Sequence, residues 1–265
     1  MSVKIAIIGG TGVYDPTMLT DLRQVEVDTV YGKVAIKVGR YQEKEVAFLQ
    51  RHGEGHSVPP HLINYRANIL ALKKLGVRQI IATAAVGSLD MKLEAGHLVV
   101  VHDFLDFTKV RPTTFFDGGE AGVVHTDFTY PYCPRLRNVL LEAGRQESLT
   151  IHDSAVYVCT EGPRFETPTE IKMYQNFGGH LVGMTSVPEV LLAREAEICY
   201  ATVAMVTNYG AGISPQPLTH MEVLEAMDAN KENIKSLAMK TIELLPTDDD
   251  CECHHALADF GGFKL

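Results

Sequence analysis

Apolar positions along the chain fall into two alternating kinds of run. Short β-branched or aliphatic runs occur at Val3 to Ile8, Val46 to Gln50, Gln79 to Ala85, Leu98 to Val101, Ser154 to Cys159 and Cys199 to Val206, bounded by Gly, Pro or polar residues. Such runs read as strands buried on both faces. Between them lie stretches with apolar residues at three- and four-residue steps: Pro60 to Leu75, Pro134 to Gly144, Thr167 to Phe177, Val187 to Ile198 and Thr219 to Leu245. The first carries its stripe at Leu62, Tyr65, Ile69 and Leu72, with Pro at its start and Gly76 past its end, the signature of a helix. Strands alternating with helices predict an α/β fold with a central, largely parallel or mixed sheet flanked by helices. No repeat or low-complexity linker precedes Thr247, so residues 1–246 are expected to form one domain and residues 247–265 a C-terminal tail.

Charge narrows the partners. Lys plus Arg number 24 against 33 for Asp plus Glu, a net charge of −9, which disfavours a broad nucleic-acid or anionic-membrane surface and leaves an anionic ligand to a local site. Apolar runs such as Ile5 to Ile8 fall far short of the roughly 20 residues of a membrane-spanning helix. The N-terminal run enters a glycine loop in place of a signal-peptide core, and the expectation is a cytoplasmic protein. The 5 cysteines are few and odd in number, as in a reducing compartment.

In open α/β sheets ligands collect beyond the carboxyl ends of strands, so those loops hold the candidate chemistry. Gly9-Gly10-Thr11-Gly12 offers backbone amides and the Thr11 hydroxyl to an anion, but lacks the remaining parts of a dinucleotide or P-loop motif. Arg51-His52 follows a strand and projects a planar fork of donors beside an imidazole, a pairing suited to phosphate. Ala82 to Ser88, including Ala84 and Ala85, ends another strand in small residues that allow close backbone approach. Glu161 to Thr167 puts Phe165 and Glu166 in one loop, where a flat heterocycle can stack while a carboxylate accepts ring N–H bonds. Met184-Thr185-Ser186 precedes a helix, Asn208 ends the strand begun at Cys199, and His220 precedes the apolar stripe Val223, Leu224 and Met227.

Taken together, IIGGTG at Ile7 to Gly12, RHG at Arg51 to Gly53, NYRANI at Asn64 to Ile69, GPRFET at Gly162 to Thr167 and MTSVPE at Met184 to Glu189 are specific. Over roughly residues 3–245 the sequence closely resembles the methylthioadenosine phosphorylase and trimeric purine nucleoside phosphorylase family. The resemblance implies a single-domain, three-layer phosphorylase fold and a homotrimer or dimer of trimers with active sites completed by a neighbouring subunit. It implies phosphate held by Thr11, Arg51, His52, the backbone amide of Ala84, and Thr185. Ribose would lie near Met184, with His125 contributed by the adjacent subunit, Phe165, Glu166 and Asn208 would hold the purine, and Ala85 would be a further substrate-binding residue. The reaction implied is attack of phosphate on the ribosyl C1′ to give free base and ribose 1-phosphate in purine salvage, with Asn208 and His52 as catalytic residues. It requires no metal or organic cofactor.

Substrate choice turns on three positions. Members acting on 6-aminopurines generally carry Asp where this chain has Asn208, and an amide can donate to a 6-oxo oxygen while Glu166 accepts N1–H. His220 matches the histidine that contacts a 5′-hydroxyl in purine nucleoside phosphorylases. The expectation is therefore inosine and guanosine, with methylthioinosine or methylthioadenosine as the alternative, and a non-catalytic nucleoside-binding protein as the rival of another class. A nucleoside hydrolase lacks its usual Asp-rich loop here. In the tail, Cys251-Glu252-Cys253-His254-His255 offers metal-ligand types without the spacing of a standard zinc site. Some thermophilic members of the family carry a Cys-x-Cys tail, so a Cys251–Cys253 bond stands beside the expected mobile, reduced tail.

Overall fold

The computed structural model describes residues 3–10, 18–214, 220–246 and 250–264. Residue Thr11 lies outside them, as does the side chain of His220.

Eleven strands form one mixed sheet among the described residues. Strand β1 (Ile5–Gly9) runs parallel to both β4 (Lys44–Gln50) and β5 (Gln79–Ser88), and β5 runs parallel to β11 (Cys199–Tyr209). The carboxyl ends of these four central strands therefore open on one side. Antiparallel β2 (Thr20–Thr29) and β3 (Gly32–Tyr41) extend the β4 edge. Beyond β5 and β11 lie β6 (Leu98–Val100), β7 (Asp103–Phe107), β8 (Ile151–His152), β9 (Val156–Thr160) and β10 (Leu181–Gly183).

Alternation along β1 shows how the layers form. Ala6 and Ile8 belong to one buried cluster, with residues of helices α1 (Tyr65–Lys74) and α4 (Ser186–Glu195). Ile5 and Ile7 belong to a second, with α2 (Pro134–Gln146) and α5 (His220–Leu244) on the other face. Successive side chains leave a strand on opposite faces, so a sheet covered by helices on both sides must be apolar at every position. That is the reason β1 reads as an unbroken apolar run. Helix α3 (Pro168–Asn176) packs Ile171 and Tyr174 on a smaller cluster with Leu89, Val158 and Val182, and its start is fixed by a capping box between Thr167 and Glu170.

The helix expected from Pro60 begins five residues later. Pro60–Leu62 forms a separate 3-10 turn, Leu62 is exposed, and the Asn64 side chain accepts from the Ala67 amide to start α1 at Tyr65. The cap outcompetes the proline because it supplies an acceptor to an otherwise unpaired amide.

Residues 250–264, expected to be mobile, are packed on the domain through two short 3-10 turns, Glu252–His255 and Ala258–Phe260. Cys253 and Leu257 are buried, and the Glu197 carboxylate accepts from the amides of Leu257 (3.1 Å) and Phe263 (3.2 Å). A burial signal of so few residues is not visible as periodicity. Among the described residues no helix is long and apolar enough to cross a membrane.

Candidate active site

A cavity of about 710 Å³ opens at the carboxyl ends of β1, β4, β5 and β11, a size that suits a small organic ligand. Arg51, His52, Ala84, Ala85, Phe165, Glu166, Met184, Thr185 and Asn208, all singled out in the sequence, line it. Gly10, which precedes Thr11, also lines it, and Leu224 and Met227 bring α5 to its wall. His125 is exposed and is not among the lining residues of its own chain.

At one end, β4 delivers Arg51 beside β1, and the Arg51 amide donates to the Gly9 carbonyl (3.1 Å). Arg51 is only 4% exposed. Its Nε and Nη2 donate to the two oxygens of Glu189 at 2.8 and 2.7 Å, and Nη1 donates to the Thr83 carbonyl at 2.9 Å. Burial works against this charge, but the contact with Glu189 outweighs it and holds the guanidinium protonated far above its already high ordinary value. A guanidinium has five N–H donors; with three engaged, Arg51 retains two that an anion can use. Tyr200 also donates to Glu189 Oε1, at 2.8 Å, so this wholly buried carboxylate is held by a second side chain.

His52 places Nδ1 2.9 Å from the Val58 carbonyl. A carbonyl can only accept, which fixes a proton on Nδ1 and a definite ring orientation. Thr185 precedes α4, yet its side chain makes no capping bond, leaving the hydroxyl to other partners. Strand β10 runs antiparallel to β5, pairing Leu181 with Ser88 and Val182 with Gly87. Just beyond β10, Met184 and Thr185 line the same cavity as Ala85 and Ala84.

The other end is built by a bulge. The β5–β11 register passes from Val206 opposite Val86 to Asn208 opposite Gly87, so Thr207 is an extra residue. A bulge of this kind re-aims the following side chain. Asn208 Nδ2 donates to the Tyr209 carbonyl at 2.8 Å, and Thr207 Oγ1 donates to Asn208 Oδ1 at 2.7 Å. The carbonyl fixes which side of the amide is nitrogen. Glu166 accepts from the Thr160 hydroxyl at 2.6 Å. Burial pushes its carboxyl above the ordinary range, partly offset by that bond.

Two residues absent from the expectation organise these loops. Glu189 fixes Arg51, and its sequence signal is a carboxylate embedded in the apolar helix segment Val187 to Leu192. Arg111, 6% exposed, donates from Nη1 to the carbonyls of Met184 and Val187, both at 2.7 Å, and from Nη2 to those of Thr160 (3.1 Å) and Glu161 (2.7 Å). It thereby joins the strand end carrying Glu166 to the one carrying Thr185. No periodic pattern surrounds it.

Comparison with known proteins agrees with this architecture. Residues 4–243 match the family model described as "Phosphorylase superfamily". A Dictyoglomus turgidum protein named "Probable 6-oxopurine nucleoside phosphorylase" is 56% identical over 97% of this chain and 98% of its own length. A Methanothermobacter thermautotrophicus protein named "Probable S-methyl-5'-thioinosine phosphorylase" is 51% identical over 96% of this chain and 88% of its own length. Among solved structures, methylthioadenosine phosphorylase from Schistosoma mansoni in complex with adenine superposes with a TM-score of 0.91 at 33% identity, covering 97% of both chains. The chain belongs to the phosphorylase superfamily, and it is an enzyme of the nucleoside phosphorylase kind.

Proposed function

We propose that this enzyme cleaves 6-oxopurine nucleosides, inosine and guanosine, with inorganic phosphate to the free base and ribose 1-phosphate in purine salvage. The observation that carries the reading is one cavity lined by the buried Arg51 guanidinium, by a fixed Asn208 amide and by the Glu166 carboxylate. An amide has two N–H donors and an acceptor oxygen, so beyond its bonds to Tyr209 and Thr207 it retains a donor for O6 and an acceptor. Glu166, ionised, accepts from N1–H. A 6-aminopurine reverses both demands.

Phosphate is held by the two remaining donors of Arg51, by His52, whose Nε2 accepts from the phosphate hydroxyl, by the hydroxyls of Thr185 and Thr11, and by the Ala84 amide. The nucleophile is then seated below C1′ while the base is held above. The bond from C1′ to the purine breaks as the bond from phosphate oxygen to C1′ forms, and the electron pair leaves with the base. Phosphate stabilises the ribosyl cation character, and Asn208, as a donor, stabilises the negative charge arriving on the purine, while Glu166 orients the base through N1–H. No metal or organic cofactor enters this scheme. Ala85, Met184 and Phe165 supply the surface on which sugar and base rest. His220 would meet the 5′-hydroxyl, and His125 of a neighbouring copy would close the ribose side in a homotrimer or dimer of trimers working in the cytoplasm.

A second reading, a 5′-methylthio nucleoside as substrate, is favoured by Leu224 and Met227, which place apolar surface in the cavity wall. Base release from inosine, guanosine, methylthioinosine, adenosine and methylthioadenosine, each with and without phosphate, separates the two. Phosphate-dependent release from inosine and guanosine is expected. Preference for the methylthio compounds selects the second reading, and absence of turnover leaves only nucleoside binding. In the same assay Asn208→Asp should lower kcat/KM for inosine by about 100-fold, the loss of one preorganised partner worth roughly 3 kcal/mol. It should also raise the adenosine-to-inosine ratio; an unchanged ratio removes Asn208 as the selector.

A further inference from the structure

Far from the cavity, the fold gathers four cysteines that are scattered in sequence. Cys133 caps the start of α2, Cys199 opens β11, and Cys251 and Cys253 come from the C-terminal segment. Their sulfur atoms all lie within 4.8 Å of one another, three of the residues are buried, and none is in a disulfide. We propose that this cluster is a tetrathiolate metal site that binds one zinc ion per chain and fastens the C-terminal segment to the sheet.

Geometry and donor chemistry agree. Zinc bound to four sulfurs at about 2.3 Å in a tetrahedron sets neighbouring sulfurs about 3.8 Å apart, and Cys133 Sγ lies 3.8 Å from Cys251 Sγ. A disulfide needs about 2.05 Å. Four sulfur donors in a tetrahedral arrangement select zinc over hard ions such as magnesium or calcium. The surroundings provide the donors that thiolate sulfur needs. The Leu136 amide donates to Cys133 Sγ at 3.4 Å, and Arg135 Nη2 lies 3.8 Å from Cys199 Sγ. His254 Nε2 lies 3.4 Å from Cys199 Sγ and 3.2 Å from the Arg78 carbonyl, so its N–H faces protein acceptors and is placed to orient the Cys199 sulfur.

The site closes with four protein ligands and leaves no position for substrate, which makes it structural. Binding exchanges four thiol protons, released to solvent, for one zinc ion. Cys199 lies nine residues before Asn208 on the same strand, roughly 30 Å at about 3.3 Å per residue, so the ion takes no part in phosphorolysis.

The test uses the full chain purified anaerobically with reductant in zinc-containing buffer, then freed of loose metal. Elemental analysis should find zinc equimolar with the chain, and cobalt substitution should give the visible absorption of a tetrahedral thiolate complex. Cys133→Ser and Cys253→Ser should each lose most of the zinc and lower Tm while retaining kcat for the wild-type substrate at low temperature. If neither variant folds, the wild-type zinc content and cobalt spectrum still decide. A metal-free chain with all four thiols open to alkylation overturns the proposal. So does one whose mass shows Cys133, Cys199, Cys251 and Cys253 paired as disulfides.

Discussion

Glu166 illustrates how a selecting residue is set against stability. Its carboxyl is raised by burial, so between the unfolded and folded values the folded protein holds a proton that the unfolded chain has lost. Stability contributed by this group therefore falls as pH rises through that window, and at neutral pH the ionised carboxylate is a cost. Glu166→Gln should raise Tm at pH 7, with the difference shrinking below the ordinary glutamate value of about 4.3. The same variant should lose about tenfold or more in kcat/KM for inosine, the cost of an unmade buried bond. It should also lose the acid limb of the wild-type pH profile, because only the ionised group accepts N1–H. Equal Tm values at neutral pH, or an acid limb that persists, would contradict this account. At this scale Arg51, His52, Glu166 and Asn208 were legible because each offers ligand chemistry at a strand end. Glu189 and Arg111 were not, since they act on other protein groups. Arg51 and Glu189 lie 138 residues apart, and only the folded sheet brings them together.

Among elements, the β5–β11 pair does the aiming. Gly87 sits opposite Asn208, and a methyl group there would lie 3.1 Å from Asn208 Nδ2 and 3.2 Å from a Val182 methyl. Those distances are too short for ordinary contact, so Gly87→Ala should push the amide aside. Steady-state kinetics should show kcat/KM for inosine falling by about tenfold to 100-fold, since small misplacements of positioning groups are costly, while KM for phosphate stays near wild type. A matched rise in phosphate KM would show that the whole cavity had moved. The central strands were legible because burial on both faces leaves unbroken apolar runs, and the five helices because one buried face imprints a period on the sequence. Strand β2 was not, because most of its positions are exposed. Strands β8 and β10, of 2 and 3 residues, are too short to carry a pattern, and the Thr207 bulge breaks the one it interrupts.

Over the whole molecule, long-range polar contacts hold the layers in place. The Lys44 ammonium, on β4, donates to the carbonyls of Ile242 (2.6 Å), Glu243 (2.8 Å) and Leu245 (2.7 Å), closing the end of α5 some 200 residues away in sequence. Terminal helix carbonyls have no partners of their own, and a cation there also meets the negative end of the helix dipole. Lys44→Met should cost about 1.5–3 kcal/mol, the range for hydrogen bonds to charged groups. Thermal denaturation should register a fall of several degrees, with the substrate profile unchanged. An unaltered Tm would mean that water replaces the ammonium without loss.

Strand β5 carries both ends of the cavity on one rigid backbone. The Thr83 carbonyl braces Arg51 at one end and Gly87 faces Asn208 at the other. Those positions are four residues apart, roughly 13 Å at about 3.3 Å per residue, and pairing with β11 all along that span keeps it from stretching. The strand is thus a ruler. An inhibitor that tethers an anion to a purine mimic has to match its length, and a stiff linker of the right span should outperform a flexible one whose groups are individually better.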